Sequence, residues 1–462
     1  MNAQTLSTPN ETQSTSPSDK QWAVVGGGML GLTLALRMAK QGHKVTLIEA
    51  APVLGGLASV WNLGDIVWDR HYHVTLLSDS RLRNLISELD LEDKMKWVET
   101  KTGFYTGGKF YSMSDTKEFL SFPPLNLFEK LRLGGTIFLA SKIKNWKRLE
   151  KLTVEKWLRR WSGNSVFEKI WEPLLKCKLG DAYKITAASF IWAHTSRMYK
   201  ARRSGLKKEM FGYVKGGYRT IIEKMEQELI KLGVTIKTAC PTSKVEKQSD
   251  GSFHVEFMGD EPDAQFDRVI MTTPNAILER TCVDLSDEEK SKFSEIDYLG
   301  IVCASLLLKK PLSVYYVTNL TDDWVPMTAV IEMTTIVDPV ELGGNSLVYL
   351  PKYVPAEHQM FEKTDEEVKE SFLSALERMY PEFTRDDVLA FEISRVRNVM
   401  AIPTLRYSEK LSPMKTSVDG LYIVNSSYIL KGNLNVNESI TIAEEAMETV
   451  LEELRESPRR AQ

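Results

Sequence analysis

Cysteine is scarce in this sequence: Cys177, Cys240, Cys282 and Cys303 are the only four in 462 residues, and no two form a CxxC pair. Disulfide frameworks and zinc sites need denser, regular spacing. The expectation is reduced, mostly buried thiols in a cytoplasmic protein. Charge of one sign is also missing. Lys plus Arg is 59 and Asp plus Glu is 62, a formal net charge of −3, so no basic excess points to a nucleic-acid partner. No stretch reaches the roughly 18 uninterrupted apolar residues of a membrane span. Residues 1–20 are rich in Ser, Thr, Asn and Gln. They have no apolar core for a secretory signal, and a lone Lys20 makes a poor transit peptide; they read as a disordered tail. A GxSxG elbow is absent, which removes the Ser-His-Asp reading. Histidine numbers six. The pair in Arg70-His71-Tyr72-His73 would share one face of a strand, yet no acid or cysteine stands nearby at metal-site spacing, so no metal is expected.

What is present suits a globular protein with room for two cores, 43% hydrophobic and 26% charged. Order begins at Trp22. Trp22 to Val25 is a short apolar run that meets three glycines, and Leu30 to Gln41 carries Leu32, Leu34, Ala35 and Met38 at helical spacing before Gly42. Lys44 to Glu49 reads as a second strand, completing a strand–helix–strand unit. Ser80 to about Met210 is mostly helical in pattern. A helix over Tyr218–Leu232, short strands to Thr272, further strands at Ile301–Leu308 and Ser346–Leu350, a helix at Asp365–Tyr380, a strand at Leu421–Val424 and a last helix from Ser439 complete the pass.

Gly26-x-Gly28-x-x-Gly31 follows the first strand and opens the first helix. The first glycine permits the tight turn, the second lets backbone approach a pyrophosphate, and the third allows close helix–sheet packing. The helix N-terminus offers unpaired N–H groups to phosphate. Glu49 ends the second strand eighteen residues past Gly31, where an acid would hydrogen-bond ribose hydroxyls. Spacing alone does not separate FAD from NAD.

The stretch Glu49-Ala50-Ala51-Pro52-Val53-Leu54-Gly55-Gly56-Leu57-Ala58 resembles the extension found in the flavin-containing amine oxidoreductases, among them protoporphyrinogen oxidases, phytoene desaturases and monoamine oxidases. There the glycine pair brings backbone beside the flavin's ribityl and phosphate groups. Val214-Lys215-Gly216-Gly217-Tyr218 through Val245, and Val269 to Pro274, are similar to the segments that return to the flavin domain, with Val245 meeting the adenine. Gly420 to Asn425 sits where that family has a strand ending in Gly-Asp, the aspartate touching the ribityl chain; here Asn425-Ser426 replaces the pair. The middle matches only loosely, around Trp171 to Leu175.

The resemblance implies an α/β protein: a Rossmann-type FAD-binding domain, discontinuous in sequence (21–80, 211–290 and 400–462), with an inserted α+β substrate-binding domain (81–210 and 291–399). It implies non-covalent FAD held by Gly26, Gly28, Gly31, Glu49, Gly55, Gly56, Leu57, Ala58, Val245 and Asn425. After the glycine pair, a hairpin over Ala58–Trp68 with its turn at Gly64-Asp65 would bring Asp69 to His73 to the flavin ring. Arg70 would then stabilise the reduced, anionic ring. His71 or His73 would take the substrate proton, or both would merely hydrogen-bond backbone at a crowded turn.

The amine oxidases carry a lysine on the strand leading to the substrate, and Gly300 to Leu308 has none. That favours hydride removal from a bulky, largely apolar small molecule, as in the oxidases and desaturases, over amine oxidation. A redox-neutral flavin enzyme resembling UDP-galactopyranose mutase, where histidines also follow the glycine pair, and a non-catalytic flavoprotein stay open. His194 reads as packing or substrate-facing. Residues 125–146 interleave apolar and basic side chains and suit either a peripheral membrane contact at the substrate mouth or a buried helix.

Overall fold

The computed structural model describes residues 20–202 and 209–460; the tail expected over 1–19 lies outside them. A parallel five-stranded sheet forms the first layer, in the order Thr235–Lys237, Lys44–Ile48, Gln21–Val25, Arg268–Met271 and Leu421–Ile423. Its strands come from three separated stretches of chain. All are short, and apart from the edge strand Thr235–Lys237 they are mostly apolar and buried, as a sheet covered on both faces requires.

The helix Met29–Lys40 starts directly at the end of the first strand. It packs with the last helix, Val436–Arg460, in one apolar cluster that includes Leu32, Leu36, Ile440 and Ala443. At the rim of that contact Arg37 bridges Glu88 and Glu444. Gly42, with φ +84°, lets the chain reverse into the second strand.

The second layer is a seven-stranded sheet ordered Val388–Ala401, Tyr298–Leu308, Ser346–Pro355, Ala329–Glu332, Val317–Leu320, Thr102–Thr106 and Lys109–Ser112. All neighbours are antiparallel except Val317–Leu320 against Thr102–Thr106. Alternation along the strands sorts two cores. Leu299, Ile301, Cys303 and Leu307 join the cluster formed with the helical segment 116–202. Val302, Ala304, Leu306 and Leu308 join the cluster under Asp365–Met379.

The mostly helical reading of 80–210 needs correction at its start. Met95–Glu99, Thr102–Thr106 and Lys109–Ser112 are strands. They are short, and the Gly107-Gly108 turn between the last two joins them as a hairpin. Among the described residues, no helix is long and apolar enough to cross a membrane, and no group of three or more His, Cys, Asp and Glu side chains is placed to hold a metal ion.

Candidate active site

The glycine turn is held by contacts that leave no room for side chains. A Cβ on Gly31 would fall 1.8 Å from the Gly26 carbonyl oxygen, and one on Gly26 would fall 2.2 Å from Thr272 Oγ1. Thr272 in turn donates to the Val25 carbonyl at 2.9 Å. Gly28 differs: the nearest atom to an added Cβ is Gly56 Cα at 3.9 Å. The missing methyl there leaves a gap, the shape a ligand's backbone-close approach requires. The helix that follows is capped by Gly28 with no side-chain bond and has no acid in its first turn. Its leading N–H groups and dipole are therefore uncompensated and suited to an anion.

The second strand's terminal acid does more than the motif implied. Glu49 Oε2 accepts from the Gly27 N–H at 2.6 Å, and Oε1 accepts from the Ala51 N–H at 2.7 Å. Gly27, an unspecified position in the motif, is thereby a required glycine: a Cβ there would meet Leu54 Cδ2 at 2.7 Å and Glu49 Cβ at 2.9 Å. Each Glu49 oxygen keeps a second lone pair for a hydroxyl.

The glycine pair crosses this turn. Gly55 N–H donates to the Gly27 carbonyl at 2.8 Å, and Gly28 and Gly55 form a parallel bridge. Gly55 and Gly56 have φ of +107° and +57°, a conformation other residues rarely adopt. The crossing leads into a short turn, Gly56–Ala58, in which Ala58 is buried and Leu57 half-buried.

The hairpin then forms from Val60–Leu63 and Ile66–Asp69. Asp69 is fully enclosed and accepts from the Tyr218 N–H at 2.9 Å, seating the N-terminus of the helix Gly217–Lys231. Burial pushes its carboxyl up to about 8, against the backbone N–H groups that favour its charge. A Cβ on Gly217 would meet Asp69 Oδ1 at 2.8 Å, which explains the second glycine of that pair.

Arg70 lies over the Trp61 ring at 5.4 Å, and its Nε is buried without a partner. His71 Nδ1 lies 3.0 Å from the Leu57 carbonyl, and His73 Nδ1 lies 2.9 Å from the His71 carbonyl. Nδ1–H is the donor in each pair, because a carbonyl only accepts. That leaves Nε2 with a lone pair, and at His71 this nitrogen is buried without a partner. Burial pushes both imidazoles down to about 4, so they are neutral at physiological pH.

Two other expected residues are placed differently. Asn425 is buried, and its amide donates to the Thr273 carbonyl and to Asn275 Oδ1, both at 2.9 Å. Its carbonyl accepts from Ser427 N and Ser427 Oγ. All four hydrogen-bonding positions of that side chain are spent inside the protein, so it braces the strand end, leaving only backbone free to face a ribityl chain. Val245 lies in a separate three-stranded sheet and bridges Cys282.

Further contacts join groups from distant parts of the chain. Tyr72 and Tyr353 hydroxyls are 2.9 Å apart, and Lys178 Nζ stands 3.3 Å above the Tyr353 ring. His194 Nδ1 lies 3.3 Å from Asn433 Nδ2, on a ring exposed to solvent. Asn433 and Leu434 line a small cleft with Phe190, Met400 and Pro403. The Tyr72–Tyr353 and His194–Asn433 pairs join residues more than two hundred positions apart, beyond the reach of local pattern.

The pattern of the flavin containing amine oxidoreductase family matches residues 30–431. A 15-cis-phytoene desaturase of Narcissus pseudonarcissus is 29% identical over 154 residues, covering 30% of this chain and 27% of the relative. That of Glycine max is 31% identical over 124 residues, 26% of this chain and 22% of the relative. The matched segment thus spans about a quarter of these relatives' length. Among solved structures, a putative protoporphyrinogen oxidase from Exiguobacterium sp. 255-15 superposes with a TM-score of 0.72 at 17% identity, covering 94% of this chain and 98% of that one. Wild-type putrescine oxidase bound to putrescine gives 0.69 at 17% identity, covering 94% and 99%. At such identities the structures share the fold alone.

Proposed function

The chain belongs to the flavin containing amine oxidoreductase family, and from that premise we propose that it binds FAD without a covalent link and removes hydride from carbon of a bulky, largely apolar substrate. The observation that carries the reading is the crossing of Gly28 by Gly55 and Gly56 at an uncapped helix N-terminus, with an empty Cβ position at Gly28. Unpartnered buried atoms at Arg70 Nε, His71 Nε2, Thr273 Oγ1 and Asn433 Oδ1 fit the same group, since buried polar atoms ordinarily find partners.

Bound FAD supplies the hydride acceptor; the protein's task is to hold and orient. Gly26, Gly28 and Gly31 with the helix N-terminus would hold the pyrophosphate, and Glu49 the ribose. Leu57, Ala58 and the glycine pair would line the ribityl chain, and Val245 the adenine. Arg70 holds positive charge beside the hairpin. His71 offers a fixed Nε2 lone pair to a substrate proton.

Leu57, Tyr72, Leu174, Met198, Tyr353 and Leu434 are partly buried members of one apolar cluster, which supports an apolar substrate. Leu299, Ile301, Cys303 and Ser305 alternate on the side of the long strand that faces the hairpin, and no lysine stands among them; this disfavours an amine oxidase. We read the flavin-binding domain as 21–80, 211–290 and 400–462, and the substrate domain as the two stretches between. Four unpaired thiols support a cytoplasmic setting, with peripheral membrane contact through residues 125–146.

The purified protein should be yellow and release its FAD in acid. A colourless protein that FAD does not reconstitute would remove the reading. Anaerobic bleaching by substrate distinguishes hydride removal from redox-neutral catalysis, which would demand flavin already reduced.

A further inference from the structure

The helix Leu127–Lys142 is built inside out. Of its five buried residues three are polar, Glu129, Lys130 and Thr136, beside Leu133 and Ala140. Glu129 is met by Lys169 Nζ at 2.8 Å, Lys130 Nζ donates to the Leu120 carbonyl at 2.6 Å, and Ser162 Oγ donates to Thr136 Oγ1 at 3.0 Å. The outward residues are apolar: Leu127, Phe128 and Leu131 are 66, 68 and 64% exposed, and Phe138 and Leu139 continue the row. At 100° per residue, these five side chains share one stripe with Gly134 and Gly135, whose lack of side chains keeps it smooth. The helix has sixteen residues, so the stripe runs for about 24 Å. A helix buried in the substrate domain would show the opposite sides; the sequence alone left that alternative open.

The charge around the stripe names its occupant. Residues 117–160 hold eleven Lys and Arg against four Glu, in a chain of formal charge −3. The four acids are engaged elsewhere: Glu118 with Ser112 and Ser114, Glu129 with Lys169, Glu150 with Ser408, Glu155 with Arg159. Lys142, Lys144, Lys147 and Arg148, by contrast, are exposed at the far end of the stripe, and none meets a carboxylate among the described residues. Arg132 lies over the Phe128 ring and Lys142 over the Phe138 ring, so cations flank the apolar row along its length. A second copy of this chain would bring the same positive excess and be repelled. An anionic bilayer surface accepts the apolar row below its headgroups and the cations among them.

We propose that this protein docks on anionic lipid through the outward face of Leu127–Lys142, with Leu127, Phe128, Leu131, Phe138 and Leu139 entering the acyl boundary and Lys142, Lys144, Lys147 and Arg148 at the headgroups. The proposal deepens the peripheral contact suggested under the proposed function and does not depend on the redox chemistry.

Flotation of the full-length flavoprotein tests it, with vesicles of phosphatidylcholine alone and with about 30 mol% phosphatidylglycerol. The protein should float with the anionic vesicles and largely stay behind with the neutral ones. The Phe128→Ser/Leu131→Ser double variant should bind at least about tenfold more weakly, and Lys144→Glu/Lys147→Glu should lose the preference for anionic lipid. Because these residues are exposed, both variants should keep the wild-type melting temperature and flavin spectrum; an altered spectrum would bear on the cofactor reading instead. Failure of the wild type to float overturns the docking proposal. So does equal flotation of the Phe128→Ser/Leu131→Ser variant, or a dimer in light scattering that this variant dissociates.

Discussion

Replacing Glu49 by glutamine keeps its size and removes its charge, and the glycine turn should register the loss before any cofactor is added. In the wild type two backbone donors, Gly27 N–H at 2.6 Å and Ala51 N–H at 2.7 Å, converge on the two carboxylate oxygens. A glutamine has one acceptor oxygen, so one of those N–H groups would face an NH2. A hydrogen bond to a charged group contributes roughly 1.5–3 kcal/mol, and a part-buried donor left unpaired costs a comparable amount. With half-exposure taken into account, Glu49→Gln should destabilise the cofactor-free chain by about 2 kcal/mol. Loss of the ribose contact should weaken FAD by a further tenfold or more, since about 1.4 kcal/mol is a factor of ten. The assay is chemical denaturation of the apoprotein beside flavin fluorescence titration, wild type against variant. An acid that only bound ribose would weaken FAD and leave the apoprotein untouched. An apoprotein of unchanged stability would therefore refute the argument that Glu49 first organises the turn.

The glycines divide the same way: Gly31→Ala should fail to fold or melt far lower, since its Cβ would sit 1.8 Å from the Gly26 carbonyl, whereas Gly28→Ala has 3.9 Å of clearance and should fold but lose FAD; a yellow Gly28→Ala protein would count against the cradle. If His71 or His73 takes the substrate proton, its alanine variant should slow anaerobic flavin reduction about 10²–10⁴-fold with FAD still bound, and two variants that reduce at the wild-type rate would return both imidazoles to structure. His71 and His73 are each pushed from 6.5 down to about 4 in the folded chain. The unfolded chain then binds more protons between those values, so stability should be full above pH 6.5 and fall as the pH drops towards 4. Asp69 and Glu332, raised by burial to about 8 and about 7, oppose this by favouring the folded chain at low pH, so melting curves at pH 7 and 5 are best taken in Asp69→Asn/Glu332→Gln; a melting temperature that does not fall would contradict the buried neutral imidazoles.

The dinucleotide turn was legible because its determinants are local. Gly26, Gly28, Gly31 and Glu49 lie within one strand–helix–strand unit, and each is demanded by backbone geometry that a short window reveals. The hairpin after the glycine pair was expected from the resemblance, with Gly64 marking its turn. Legibility failed where donors and acceptors had to be counted. Asn425 looked like a ribityl contact by its place at a strand end. Only the placement of Thr273, Asn275 and Ser427 around it spends its amide within the protein. The short strands between 95 and 112 were hidden by the helical stretch after them, since Met95–Glu99 pairs with Met210–Val214 and Thr102–Thr106 with Val317–Leu320, both far away in the chain.

By itself the sequence determined the strand–helix–strand unit and its motif glycines, because these follow from periodicity and backbone sterics within a few dozen residues, and its resemblance to known flavin proteins implied the family and the sheet. Tertiary structure alone decided what faces what. It brought Tyr72 to Tyr353 and His194 to Asn433 across more than two hundred residues, and buried His71 and His73 deeply enough to keep them neutral. It also turned the apolar side of Leu127–Lys142 outward. The pattern of that helix is the same whichever side is buried, and the choice is made by where Lys169, Ser162 and the Leu120 carbonyl wait to satisfy its polar residues.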